Sequence, residues 1–380
     1  MYFLYFIIAF GMTLQLLLVL RGLAPKIGLL DAPGGRKAHT GAIPLVGGLG
    51  MFIAFCFTLL MLEHPIGELR ALLAGATLLV ITGVMDDLHE LSSSARFAVQ
   101  IIASLMMVYW GGVELTDLGY LVSSDGLVEL GWFSVPLTVF ATVGVINALN
   151  MIDGVDGLAG SVTALTLVTL IVVASTAGDI GSSMVLGLLL AAIGGFLVLN
   201  LRFPWQPRAR VFMGDAGSMF LGLMLAWFLI DFSQGEQRLI SPATALWLLG
   251  VPLIDTVTMM LRRMLKRRSP FEPDREHFHH VLMLAGFSPL KTMLIMVVGS
   301  ATMAIIGLAG HYQGVPEWVM FYGFLLVFAA YFLMIQYAWK VMRFLKHSIN
   351  RRQGERRLAN QTFQGPDRRS GADRRARDKR

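Results

Sequence analysis

The chain has one cysteine, Cys56, among 380 residues, and it is poor in charge. A lone thiol excludes an intrachain disulfide and a cysteine-built zinc site. Charged residues make up 15% of the sequence, where a soluble protein of this size carries about 25%. Apolar residues make up 55%, and the mean hydropathy is +0.65. Most of the chain must therefore face lipid, or other helices inside lipid. The first apolar run, residues 1–20, has no basic leader segment and is long enough to span, so it reads as a retained helix.

A spanning helix needs about 17–25 apolar residues. By that rule the sequence predicts an all-α integral membrane protein of about eleven transmembrane helices. They fall at residues 1–20, 44–62, 70–86, 95–111, 132–150, 159–177, 182–201, 215–231, 241–261, 289–310 and 317–340. The face joined by the loops after odd-numbered spans carries 29 of the 31 Lys and Arg, with Arg96, Lys291 and Lys340 counted at the ends of spans; only Arg70 and Arg238 fall on the other face. Basic loops mark the cytoplasmic side, so the expectation is an N-terminus outside and a C-terminus in the cytoplasm. Residues 1–345 form the polytopic domain. Residues 346–380, with the repeat GPDRRSGADRR, read as a disordered Arg-rich cytoplasmic tail that meets anionic membrane lipids. Its single aromatic residue, Phe363, is not the interleaving of aromatics with basic residues that a nucleic-acid partner would require, so no such partner is expected.

The unusual polar motifs all fall on the basic face, while the outer loops hold little beyond Gly, Glu and short turns. In NALNMIDGVDGLAG, Asn147, Asn150, Asp153 and Asp156 recur every third residue. Each step of three slips about 60° around a helix, so one helix face cannot gather all four. Gly154 and Gly157 predict that the helix ends near Asn150 and that a tight loop folds both Asp back. Asp86 and Asp87 close a span in GVMDDLHE, at the negative end of the helix dipole, and call for a cation nearby. Asp215 in VFMGDAGS reads as a helix N-cap, a metal ligand, or both. Asp255 lies within the ninth span and should have a partner, of a structural kind. The first inner loop carries Lys26, Asp31, Arg36, Lys37 and His39, either as topological charge or as an anion-binding arm. In DREHFHH, Arg275, His277, His279 and His280 suit a phosphate or nucleotide clamp better than zinc, which wants ligands from several places.

Acids and amides for a hard metal, with basic donors for phosphates, suggest phosphoryl transfer between a nucleotide and a lipid. Mg²⁺ takes one or two protein carboxylates plus substrate phosphates; Asp215 with Asn150 or Asp153 would supply them. Two other classes compete. An intramembrane aspartyl protease would explain Gly214-Asp215 but not the Asn pair or the His cluster. A transporter would place its acids near the membrane midplane.

DDLHE, NALNMIDGVDGLAG, VFMGDAGS and DREHFHH, in that order, resemble the polyprenyl-phosphate N-acetylhexosamine-1-phosphate transferases. SPFEPDREHFHH and PEWVM resemble the undecaprenyl-phosphate GlcNAc-1-phosphate branch rather than the muropeptide-transferring branch. The likeness covers about residues 1–345. One departure is Glu90, where the family's acidic motif usually ends in a third Asp. The resemblance implies ten or eleven transmembrane helices, a Mg²⁺ or Mn²⁺ requirement and often a homodimer. It implies transfer of GlcNAc-1-phosphate from UDP-GlcNAc, or from another UDP-N-acetylhexosamine, to undecaprenyl phosphate, with release of UMP. That is the first membrane step of O-antigen or other surface-polysaccharide synthesis. Residue by residue, it makes Asp215, with Asn150 alongside, the metal site. Asp86 and Asp87 are the catalytic pair, placed where the lipid phosphate is oriented or deprotonated. Asn147, Asp153 and Asp156 lie at the nucleotide sugar, and Arg275, His277, His279 and His280 at the pyrophosphate or the sugar.

Overall fold

The computed structural model describes residues 2–31, 41–62, 69–122, 126–269 and 277–338. Arg36, Lys37, His39, Arg275 and the tail 346–380 lie outside them. The chain divides into two units, Met1–Phe328 and Ala329–Arg380, and the contacts described here are within the first.

The apolar stretches are helical. In chain order they are α1 (Tyr2–Ile27), α2 (Gly47–Leu60), α3 (Arg70–His89), α4 (Ser93–Tyr109), α5 (Ser134–Ile152), α6 (Leu158–Ala177) and α7 (Ile180–Asn200). There follow α8 (Gly214–Asp231), α9 (Pro242–Leu248), α10 (Gly250–Leu265), α11 (Phe278–Leu284), α12 (Pro289–Tyr312) and α13 (Glu317–Ala338). Local signals set several starts. Ser241 and Ser288 each accept a backbone N–H across the first turn of their helices, and a proline follows each, as at many helix N-termini. A two-residue antiparallel pair, β1 (Leu30–Asp31) with β2 (Ile43–Pro44), closes the base of the connection between α1 and α2.

Among the described residues, eight helices are long and apolar enough to cross a membrane, or nine if the bent pair α9–α10 is one span. The chain is a multi-pass membrane protein. Two expected spans are short: α2 has 14 residues and α4 has 17. The ninth is not a continuous helix. α9 and α10 meet at 88°. Pro252 has no N–H to give the carbonyl four residues back, that of Leu248. The Thr166 hydroxyl of α6 donates to that carbonyl instead, at 3.1 Å, so the break leaves no bare acceptor inside the apolar layer.

α8 is the centre of the assembly. Its spanning window is 89% buried, against 17% for α1. It packs against α2, α3 and α5. Inside lipid the attraction between helices is van der Waals packing, so close approach needs small residues. A Cβ on Gly83 of α3 would stand 2.3 Å from the Ala216 backbone, and one on Gly48 of α2 would stand 2.1 Å from that of Gly217. These contacts bring the C-terminal end of α3 onto the N-terminal end of α8.

The far end of α8 is less bare than its loops suggest. Arg238 bridges Asp117 at 3.4 Å and Glu317 at 2.5 Å, and its guanidinium lies 5.6 Å from the Tyr120 ring centroid. Glu317 also accepts the Tyr120 N–H. Distant loops are latched there by charges that look isolated in the sequence.

Candidate active site

At the near end of α8, four helix ends converge. α3 brings Asp86 and Asp87, α4 brings Arg96 and Gln100, α5 brings Asn147 and Asn150, and α8 brings Asp215 and Ser218. A cavity of about 240 Å³ opens between them, lined by Arg96, Gln100, Asn147, Asn150, Asp153, Asp215 and the histidines 277, 279 and 280, among others.

The dipole objection to Asp86 and Asp87 is answered inside the chain. Asp86 accepts the Leu91 N–H at 2.6 Å and pairs with Arg96 at 2.8 Å. Arg96 reaches on to Asp215 at 3.3 Å. Asp87 meets the positive end of α8: its Oδ1 accepts the Asp215 N–H at 3.1 Å. The expected cap is thus reversed. Asp215 sits inside the first turn, and Asp87 of another helix caps it. Glu90 closes α3 at φ 50°, exposed. That left-handed conformation suits Gly, Asn or Asp better than Glu.

The Asn–Asp repeat divides. α5 runs to Ile152, past the expected end near Asn150, so both amides stay on helix. Asn150 donates to Asp215 at 2.6 Å and to Ser218 at 2.9 Å; Asn147 donates to Gln100 at 2.7 Å. Asp153 returns to the cavity wall. Asp156 does not, contrary to the expected pairing of the two Asp. Gly157, at φ 81°, turns the chain so that Asp156 binds Arg202 at 2.7 Å and the Ala209 N–H at 3.0 Å. Asp156 braces the loop between α7 and α8.

The histidines close the cavity from α11. His279 is 1% exposed, and neither ring nitrogen has a hydrogen-bond partner among the described residues. Its Nε2 lies 2.5 Å from where a Cβ on Gly154 would be, so only glycine leaves room for the ring. Burial, with the neighbouring His280 and His277, pushes the His279 pKa down to about 3, so the ring is neutral at physiological pH. Asp153 is shifted the other way. Withdrawal from water, and then the charges of Asp215, Asp87 and Asp156, hold its carboxyl well above the usual range.

This crowding bears on the metal expectation. The Oδ2 of Asp87 is buried without a hydrogen-bond partner among the described residues, close against Gly214. Among the described residues no three His, Cys, Asp or Glu form a ready-made cage. The cavity wall offers two carboxylates, Asp153 and Asp215, which fits Mg²⁺, as it takes its other ligands from phosphate and water; it does not fit a closed structural zinc site.

Residues 69–233, from the start of α3 to just past the end of α8, match the model of glycosyl transferase family 4. The undecaprenyl-phosphate alpha-N-acetylglucosaminyl 1-phosphate transferase of Escherichia coli K12 is 39% identical over 338 residues, covering 89% of this chain and 92% of that protein. The same-named enzymes of Salmonella typhimurium and Haemophilus influenzae are 40% and 37% identical, and 94% of each is covered.

The chain belongs to glycosyl transferase family 4.

The matched segment holds the acidic and amide half of the site, Asp86 to Asp215; the histidine helix lies beyond it. A family 4 transferase needs no protease dyad, and none of these relatives is named as a protease, so that reading has no support. Reading the sequence missed Arg96 and Gln100 as site residues. The signal was there: a lone Arg opening an apolar helix, and an amide one turn further on, both expensive in lipid. Arg263, 4% exposed at the end of α10, also lines the cavity.

Proposed function

We propose that this chain transfers GlcNAc-1-phosphate from UDP-GlcNAc to undecaprenyl phosphate, giving undecaprenyl-diphosphate-GlcNAc and UMP. The observation that carries it is the pairing of relatives so named, at 37–40% identity over nearly the whole chain, with a cavity at helix ends lined by carboxylates, amides, arginines and imidazoles. The reading includes eleven spans with a periplasmic N-terminus, an inner-membrane location, and the cavity on the cytoplasmic face where the nucleotide is. It also includes residues 346–380 as a separate cytoplasmic tail.

In the reaction an oxygen of the lipid phosphate attacks the phosphorus that carries the sugar. The bond to the bridging oxygen breaks, and UMP leaves with that oxygen. A phosphate monoester has its second pKa near 6, so the nucleophile is already largely ionised and no strong base is required. Mg²⁺, held by Asp215, would supply charge neutralisation at the diphosphate, while Asp87 would position the lipid phosphate and only secondarily take a proton. Asn150 fixes the rotamer of Asp215 through its amide. Arg96 offsets the carboxylate charge of Asp86 and Asp215 and faces the cavity. Neutral His279 can offer one N–H to a phosphate oxygen without adding charge. Asn147 and Asp153 line the wall toward the nucleotide sugar.

The test is release of UMP from UDP-GlcNAc by purified protein. We expect release only with both undecaprenyl phosphate and Mg²⁺, and loss on chelation with recovery on adding Mg²⁺ or Mn²⁺. Release without the lipid acceptor would overturn the reading. A panel of other UDP-N-acetylhexosamines fixes the sugar.

A further inference from the structure

Asp255 sits in the middle of α10, 2% exposed. A carboxylate buried in an apolar helix needs compensation, and the structure shows where it goes. Asp255 Oδ2 lies 2.9 Å from His277 Nδ1, and Oδ1 accepts the Phe278 N–H at 3.1 Å. Both bonds land on the first turn of α11. His277 is the N-cap of that helix and makes no capping bond with its own side chain. The cap is supplied by Asp255 from another helix. At seven residues, α11 is too short to hold a position by itself.

The consequence reaches the cavity through stacked rings. His277 and His279 lie nearly parallel, at 7°, with centroids 5.8 Å apart. His279 in turn is set over Gly154, its ring nitrogens unpartnered in the wall it shares with Asn150, Asp153 and Asp215. We propose that Asp255 is a positioning residue. It anchors the His277–Phe278 turn to α10, and so sets where His279 holds its buried, unpartnered ring nitrogens for the diphosphate of the nucleotide sugar. The inference rests on the transferase reading. It adds that recognition of the soluble donor is governed by a carboxylate outside the cavity, whereas recognition of the lipid phosphate is not.

The test uses the full-length protein in detergent, with Asp255→Asn, His277→Gln, the double variant and Asp255→Glu. Asn is isosteric and keeps an acceptor for the Phe278 N–H. We expect Asp255→Asn to raise the KM for UDP-GlcNAc roughly tenfold or more, the scale on which misplaced contacts act, with the KM for undecaprenyl phosphate unchanged. Because both residues act along one chain of contacts, the double variant should be no worse than the worse single one. Asp255→Glu should recover part of the loss. An unchanged donor KM, an equal rise in both KM values, or additive effects would each overturn the proposal. A second readout does not depend on turnover. Diethylpyrocarbonate should modify His279 several-fold faster in Asp255→Asn than in the parent, as scored by peptide mass; equal rates overturn the proposal. A parent protein that releases no UMP while His279 still gains reactivity in the variant would remove the transferase reading and keep the anchor.

Discussion

At the scale of single residues, the site is a problem of excess negative charge solved locally. Asp86 takes Arg96, Asp87 takes the N-terminal end of α8, and Asp215 takes Asn150 and Arg96. Asp87 Oδ2 is buried without a hydrogen-bond partner among the described residues. Asp215→Asn removes a charge that nothing else at that point replaces, so UMP release should fall by 10²-fold or more, a usual loss for one electrostatic group in a closed site. Asp87→Asn keeps an acceptor for the Asp215 N–H. It should retain measurable activity that recovers as pH rises and the lipid phosphate completes its ionisation. Full activity of Asp215→Asn would remove its assignment to the metal. His279 carries a separate pH signature. Its folded pKa, about 3, lies below the ordinary 6.5, so between those values the unfolded chain binds a proton that the folded chain refuses. Stability must fall as pH drops below about 6.5, at up to about 1.4 kcal/mol per pH unit. Asp153, raised, works in the opposite sense. The thermal midpoint in detergent should therefore drop less between pH 7 and pH 5 in His279→Gln than in the parent.

At the scale of elements, the catalytic geometry is a by-product of helix packing. Asp87 reaches the Asp215 N–H because Gly83, one turn before it, lets α3 lie directly on the α8 backbone. Gly83→Val would have to part the two helices. It should cost about 1–3 kcal/mol, as overpacked cores do, and should lower turnover with it. Gly11→Ala, with nothing within 4 Å of the new Cβ, should change neither melting nor UMP release. Most helices were legible in the sequence because their signal is length and apolarity, which need no tertiary information. The break at Leu249 was only half legible. Pro252 announces a lost hydrogen bond, but whether the helix kinks or snaps depends on Thr166, which arrives from another helix. Asp156 was misread for a related reason. The spacing of three is visible in the chain, but the direction of the turn at Gly157 and the arrival of Arg202 are not.

For the whole molecule, the division of labour is between its two ends. One end gathers acids, amides and histidines around a cavity; the other is latched by Arg238, Asp117 and Glu317. On the proposed topology the first end faces the cytosol. Single cysteines, introduced after Cys56→Ser, check this. A cysteine at Ser288 should be labelled by a membrane-impermeant maleimide only after the inner face is opened, and one at Glu236 in intact spheroplasts. Equal labelling from both sides, or the reverse order, would refute the topology.

By itself the sequence determined a multi-pass helical membrane protein with its chemistry grouped on one face. Hydropathy and the scarcity of charge act residue by residue, and so do the costs that keep Asp, Asn and His out of lipid without a purpose. Only the tertiary structure decided which of those groups meet. Arg96 joins Asp86 to Asp215, Asp255 holds His277, and Asp156 turns away, because partners for buried charges come from helices far apart in the chain. A linear pattern records that a charge must be compensated, but the packing of the helices chooses the group that does it.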